Sequence, residues 1–151
     1  MGYRIRAILG KESVLKLIRT THSSAKLIKL NKGIDMIPVT DALFDEINKF
    51  EDCSDVGKFT YLNENLYNYL KDVSLSGEIS YIEADYFGGI GKQGSVVWKD
   101  GKQILFRDYD LFKGPINEAL KMLGVTCEFG KDEFETAGLQ KYRYIENFDD
   151  E

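Results

Sequence analysis

Hydrophobic residues at the start of the chain change from the spacing of a strand to that of a helix. Residues 3–9 alternate between apolar and polar positions and predict a strand, which Gly10 interrupts. Val14, Leu17 and Ile18 then share one face of a helix. The chain is therefore predicted to open with a strand followed by a helix.

The next apolar stretches are short and predict extended structure. Residues 25–30 and 34–39 are separated by the turn-forming sequence at positions 31–33. Pro38 has no backbone N–H to donate, which confines the second segment to a sheet edge or to the end of its strand.

Later segments with helical spacing carry recognisable start or stop residues. They cover residues 41–50, 63–73, 115–123 and 132–137. Thr40 and Asn63 are suited to cap the first two, because a side-chain oxygen at that position accepts from a backbone N–H of the first turn. Gly114-Pro115 opens the third, with proline at the first helical position, and Gly124 ends it.

Residues 78–107 predict an antiparallel meander. An alternating run to Phe87 is followed by a glycine-rich loop and then by strands near residues 95–98 and 103–106. Asp100-Gly101 lies between the last two strands and is a strong hairpin signal, since both turn positions require positive φ.

Together these segments predict one α+β domain over residues 1–151. It consists mainly of an antiparallel sheet packed with three to five helices, and residues 146–151 are expected to form a flexible acidic tail. A chain of 151 residues is large enough to bury one sizeable core.

The charge of the chain disfavours a nucleic-acid partner. The formal net charge is −5, whereas binding to a phosphate backbone depends on an excess of Lys and Arg. The same negative charge favours a basic protein partner, although it also serves solubility.

Composition also argues against secreted, metal-binding and membrane classes. The chain has two cysteines, Cys53 and Cys127, and one histidine, His22, with no metal-ligand spacing among them. No apolar run approaches the roughly 20 residues that cross a bilayer. We therefore expect a cytoplasmic protein with free thiols and with no metal or cofactor.

A glycine-rich motif stands out within the meander. Residues 89–94 fit the GxGxxG pattern of dinucleotide sites. In such sites the last glycine leads into a helix that holds the pyrophosphate, but Ser95 to Trp98 is predicted to be a strand. A hairpin loop or a glycine bulge, where another segment approaches closely, is therefore the better interpretation.

Two carboxylates precede this motif and are candidates for chemistry. Glu83 and Asp85 are two residues apart on a predicted strand, so they point to the same face as Tyr81. The pair has the geometry for acid–base catalysis or a divalent metal. A solvated sheet face and an acidic, aromatic binding surface are the alternatives, and all three place both acids outward.

Some segments resemble parts of small uncharacterised bacterial proteins. These are residues 36–41, 81–89 and 114–120. In size and acidity the chain is also similar to the immunity proteins that neutralise polymorphic or contact-dependent toxins. This resemblance implies a protein that binds a toxin. It offers no established catalytic residues that could be carried over to this chain.

The leading hypothesis is a non-enzymatic protein-binding module, such as a cytoplasmic immunity or antitoxin-like protein that neutralises a basic toxin. The predicted partner-binding residues are Tyr81, Glu83, Asp85, Tyr86, Gly88, Gly89 and Gly91. One alternative is a small metal-dependent hydrolase or ligand-binding enzyme that uses Glu83 and Asp85 beneath a lid formed by residues 88–94. Another is a homo-oligomer assembled through an exposed sheet edge.

Overall fold

The computed structural model describes residues 3–49, 51–87, 90–110 and 114–144. Within these ranges the strands form one antiparallel sheet of six strands in the order β2-β3-β1-β4-β5-β6. The strands are β1 (Tyr3–Gly10), β2 (Ile28–Lys29), β3 (Asp35–Pro38), β4 (Ile79–Phe87), β5 (Ile90–Lys99) and β6 (Lys102–Asp110).

Helices cover both faces of this sheet. They are α1 (Glu12–Thr21), α2 (Asp41–Asn48), α3 (Glu64–Val73), α4 (Pro115–Met122) and α5 (Glu133–Ala137), with short 3-10 turns at Ser74–Ser76 and Leu139–Lys141. The first three pack on one face, against a core that includes Tyr81 and Trp98. The last two pack on the other face, around Ile82 and Ala84. Most of the described residues of the central strands β1 and β4 are therefore buried on both faces.

The predicted α+β class is confirmed, and so is the meander of β4, β5 and β6. Asp100 and Gly101 have φ values of 54° and 76°, as the predicted hairpin turn requires. The caps are confirmed as well: the side chains of Thr40 and Asn63 accept from backbone N–H groups of α2 and α3. Pro38 is the last residue of β3, where its missing N–H is tolerated.

The glycine-rich loop is shorter than predicted. β5 already begins at Ile90, so Gly91 and Gly94 lie in a strand and the proposed lid over residues 88–94 is wrong. Gly88 and Gly89 lie outside the described residues, as does the predicted tail at residues 146–151. A strand at this position also confirms that the GxGxxG pattern does not open a helix.

At Gly94 other segments of the chain come very close to the strand, as the glycine-rich motif predicted. A Cβ at Gly94 would lie 2.7 Å from the Phe59 ring and 2.9 Å from the Arg107 carbonyl oxygen. The register of β5 and β6 shifts between Gln93 and Ser95, which places a bulge at this residue. The missing side chain therefore makes room for Phe59.

We expect Gly94→Ala to lower the free energy of unfolding by about 2 kcal/mol, because the new methyl group would overlap a buried ring and a backbone oxygen. Denaturant unfolding followed by the fluorescence of Trp98, which is fully buried, measures this change. Gly114→Ala is the matched control, since its Cβ would meet only the Glu118 carboxylate at 3.6 Å. Equal effects of the two substitutions would contradict the assignment.

Asp35 predicts a pH dependence of stability. Its side chain is 5% exposed, Oδ2 accepts no hydrogen bond from the described residues, and the Lys29 ammonium lies 3.9 Å away. Burial raises the pKa of Asp35, so the folded state holds this proton more tightly than the unfolded state. The stability that the protonated form provides is therefore lost as the pH rises through the raised pKa.

Asp35→Asn should accordingly be more stable than the wild type at neutral pH, by about 1 kcal/mol. The difference should shrink as the pH falls through the raised pKa. Asp72→Asn, at an exposed position of α3, should change neither stability nor its pH dependence. Unfolding curves at a series of pH values test this, and a variant less stable than the wild type at neutral pH would contradict it.

Candidate functional site

Glu83 is buried inside the protein, contrary to the prediction that both acids face outward. Glu83 is 1% exposed and Tyr81 is fully buried, whereas the Asp85 side chain is 59% exposed. All lie on the β4 face that α1, α2 and α3 cover. The prediction was wrong for Glu83 and Tyr81 because residues 59–62 fold over this part of the face.

The Glu83 carboxylate holds that covering segment in place. Oε1 accepts hydrogen bonds from the N–H groups of Tyr61 at 2.7 Å and Leu62 at 3.0 Å, and from the Tyr81 hydroxyl at 2.6 Å. Oε2 accepts from the Thr60 N–H at 3.0 Å. Consecutive backbone N–H groups thus converge on one buried anion, which is the arrangement that satisfies a charge removed from water.

Apolar packing fixes the rest of the segment. The Phe59 ring packs edge-on against Tyr81 and Phe106, with ring centroids 6.0 and 5.6 Å apart. Leu62 is fully buried, and its carbonyl accepts from the Val56 N–H at 2.8 Å. Phe59 and Leu62 are thus buried apolar residues at the two ends of the segment that is hydrogen-bonded to Glu83.

Arg6 connects the segment to α2. It is 6% exposed, its Nε donates to the Val39 carbonyl at 2.6 Å, and its Nη2 pairs with the Asp41 carboxylate. The guanidinium carbon also lies 3.8 Å from the centre of the Tyr61 ring. A planar guanidinium can make all these contacts at once, which a lysine ammonium cannot.

These contacts place one aromatic ring at the surface, and exposed carboxylates lie near it in space or along the chain. We define the acidic face as Asp41, Asp55, Tyr61, Glu64 and Asp85. Its carboxylates are exposed and Tyr61 is 39% exposed. Asp41 and Tyr61 meet at Arg6, and Asp55 is bridged to Asn63, which precedes Glu64.

A cavity of about 130 Å³ lies at one side of this face. It is lined by Arg4, Arg6, Thr60, Tyr61, Glu83 and Asp85 among others. Both Glu83 oxygens already accept hydrogen bonds from the protein and the residue is 1% exposed, so this carboxylate is poorly placed to act as a base or as a metal ligand. Among the described residues there is no group of three or more His, Cys, Asp or Glu that could hold a metal ion.

The remaining predicted residues fall elsewhere. Tyr86 is half-buried on the opposite side of β4, where its hydroxyl accepts from Gln93 Nε2 at 2.9 Å. Gly91 pairs with Tyr86, and a Cβ there would lie 2.0 Å from the Asp85 carbonyl oxygen. The predicted set is thus divided between the interior, the acidic face and the far side of the sheet.

Sequence reasoning missed Arg6, Asp41 and Tyr61. Arg6 and Asp41 belonged to a predicted strand and a predicted helix, and neither carries a local motif. Their association depends on contacts between residues 35 or more positions apart, which no periodic pattern records.

Comparisons with protein-family models, curated proteins and solved structures found no match for this chain. The resemblance to toxin-immunity proteins therefore stays a prediction. None of the described helices is both long enough and apolar enough to cross a membrane.

We expect Glu83→Gln to lower the free energy of unfolding by about 3 kcal/mol. An amide has one acceptor oxygen, so its NH₂ group must face at least one of the N–H or O–H donors that the carboxylate now satisfies. Amide hydrogen exchange should also become faster at one or more of residues 60–62, because an amide cannot accept from all three of their N–H groups.

Asp85→Asn is the matched control for this substitution. It removes a charge two residues away on the same strand, from an exposed side chain, and should change stability by less than about 0.5 kcal/mol. Equal stability losses in the two variants, or unchanged exchange at all three of residues 60–62 in Glu83→Gln, would contradict the anchoring role of Glu83.

Proposed function

We propose that the protein is a non-enzymatic binding module that uses the acidic face to bind a basic protein partner. The observation that carries this proposal is the Tyr61 ring, which is held at the surface by a buried arginine and a buried glutamate, with the exposed carboxylates of Asp41 and Asp85 close by. An immunity or antitoxin-like protein that neutralises a basic toxin is the specific form of this function that we favour.

The charge distribution supports a basic partner. Residues 51–64 contain four exposed carboxylates, at Glu51, Asp52, Asp55 and Glu64, and one lysine, Lys58. Exposed charges of one sign accelerate encounter with a partner of opposite charge and disfavour acidic proteins.

Tyr61 supplies the second element of a protein interface. Binding energy concentrates in a few aromatic and arginine residues, which bury a large area at a small loss of conformational entropy. The stacking of Tyr61 on Arg6 and the hydrogen bond from its N–H to Glu83 restrict both its ring and its backbone before any partner binds. Such preorganisation lowers the entropy lost on association.

The hydrolase alternative receives less support from this geometry. It needs Glu83 and Asp85 as a pair of accessible carboxylates, but Glu83 is buried and accepts at least four hydrogen bonds within the protein. Asp85 is left as a single exposed acid, 3.8 Å from Arg4 Nε.

The test is capture of the partner from lysate of the source organism on the immobilised protein, followed by binding measurements with the purified components. We expect a basic protein whose toxic activity is lost in the complex and whose affinity falls as salt is raised.

The combined substitution Asp55→Asn, Glu64→Gln and Asp85→Asn should slow association at least about tenfold at low salt. Tyr61→Ala should mainly speed dissociation.

Three neutralised carboxylates elsewhere on the surface provide the matched control. The control variant is Asp72→Asn, Glu128→Gln and Glu133→Gln, which changes the net charge equally and should bind as tightly as the wild type. If both variants bind alike, long-range charge rather than the acidic face determines binding. If the captured partner is acidic, or remains active in the complex, the proposal is wrong.

A further inference from the structure

A second, larger cavity lies on the opposite side of the sheet. Its volume is about 290 Å³, and α4, α5 and the neighbouring ends of β1, β4 and β5 form its walls. Ligand sites range from about 300 to 1,000 Å³, so this one suits a small molecule or a single side chain rather than a dinucleotide. The acidic face lies across the sheet from it and shares none of its residues with the walls.

Most of the surface that lines this cavity is apolar, and aromatic side chains contribute to it. The rings of Tyr3 and Phe134 meet edge-on with centroids 5.3 Å apart, and Tyr86, Ile116 and Ala84 complete the apolar surface. The Tyr3 hydroxyl donates to the Leu139 carbonyl at 3.0 Å, and burial raises the pKa of Tyr3, so this phenol stays neutral. Apolar walls with aromatic faces favour a ligand that has an apolar body, and such faces attract cations.

Gln93 makes the inner wall rigid and polar. It is 6% exposed, and its Oε1 accepts from the Ile116 N–H at 2.7 Å. Because that N–H can only donate, the Gln93 amide nitrogen must face the Tyr86 hydroxyl, 2.9 Å away. This hydroxyl accepts from Gln93 and keeps its own hydrogen for donation.

The charged groups of the cavity include two carboxylates, Asp132 and Glu135, and one guanidinium, that of Arg143. Asp132 is occupied, because Oδ1 caps α5 by accepting from the Glu135 N–H at 2.9 Å and Oδ2 accepts from Asn117. The Glu135 carboxylate is exposed and takes part in no hydrogen bond or ion pair with another described residue. The Glu135 carboxylate is therefore a negatively charged hydrogen-bond acceptor at the edge of the cavity, where a ligand can reach it.

We propose that this cavity binds an organic cation, an amine or guanidinium with an apolar body, whose charged group pairs with Glu135. The apolar body lies against Tyr3, Phe134 and Ile116. The excess of carboxylate over guanidinium in the wall, together with the aromatic faces, selects a cation over an anion of the same shape. The cation is either a free small amine or the side chain of an arginine in a protein.

The experiment is an NMR titration of the ¹⁵N-labelled protein with three probes. These are 2-phenylethylamine, 3-phenylpropanoate as a probe of similar shape and opposite charge, and arginine with both backbone ends blocked. We expect at least one of the two cations to bind at millimolar or lower concentration and to shift the amide resonances of Ala84, Ile116 and Phe134. Tighter binding of the blocked arginine would identify a protein side chain as the ligand, and tighter binding of the amine a small molecule.

Glu135→Gln should weaken binding of the cation about tenfold, the loss expected for one charge-assisted hydrogen bond. Glu133→Gln is the matched control, since its carboxylate lies on the same helix but contacts Cys127 instead of the cavity. The proposal is overturned if the anion binds as tightly as the cations, if neither cation binds, or if the two variants weaken binding equally. These outcomes do not involve the acidic face or its partner.

Discussion

A carboxylate on a sheet face that is covered by other parts of the protein cannot bind water, so its hydrogen-bond donors must come from the protein itself. Glu83 meets this requirement with three consecutive backbone N–H groups and the Tyr81 hydroxyl. These bonds fix the position of residues 60–62, which in turn close the face of the sheet over Tyr81. The anion and the segment that covers it thus stabilise each other, because neither would be satisfied alone.

The neighbouring strands are built around the same requirement. In the register of the sheet, Glu83 lies opposite Arg6 of β1 on one side and Gly94 of β5 on the other. The glycine leaves space for Phe59, and the arginine extends past the carboxylate to Tyr61 and Asp41. These three paired residues therefore provide what the covering segment needs: Gly94 leaves the space, Glu83 carries the charge and Arg6 stacks on the Tyr61 ring.

Local signals predicted most of the fold. The Asp100-Gly101 turn, the Asn63 cap and the Gly114-Pro115 helix start depend on backbone conformation within a few residues, and each is observed as predicted. The alternation in β1 likewise identified the side on which Ile5 and Ala7 are buried.

The candidate site was predicted less well, because it depends on contacts between distant segments. The two-residue period correctly placed Glu83 and Asp85 on one face, but it cannot say how far a cover extends along that face. The cover ends between these two residues, so the first acid is an internal anchor and the second belongs to the surface. Gly94 signalled a close approach, yet nothing near it in sequence identified Phe59 as the approaching group.

Burying Glu83 has a consequence for binding as well as for folding. Hydrophobic residues of similar volume often stabilise a core as well as a buried charge does, so stability alone does not account for a carboxylate at this position. An apolar side chain would leave the N–H groups of residues 60–62 without an acceptor, whereas the carboxylate fixes the backbone that carries Tyr61. Under the proposed function, the buried acid makes the aromatic anchor rigid while the exposed acids near it attract the partner. Because the first effect acts on dissociation and the second on encounter, interior and surface carboxylates would contribute to one interface through different rate constants.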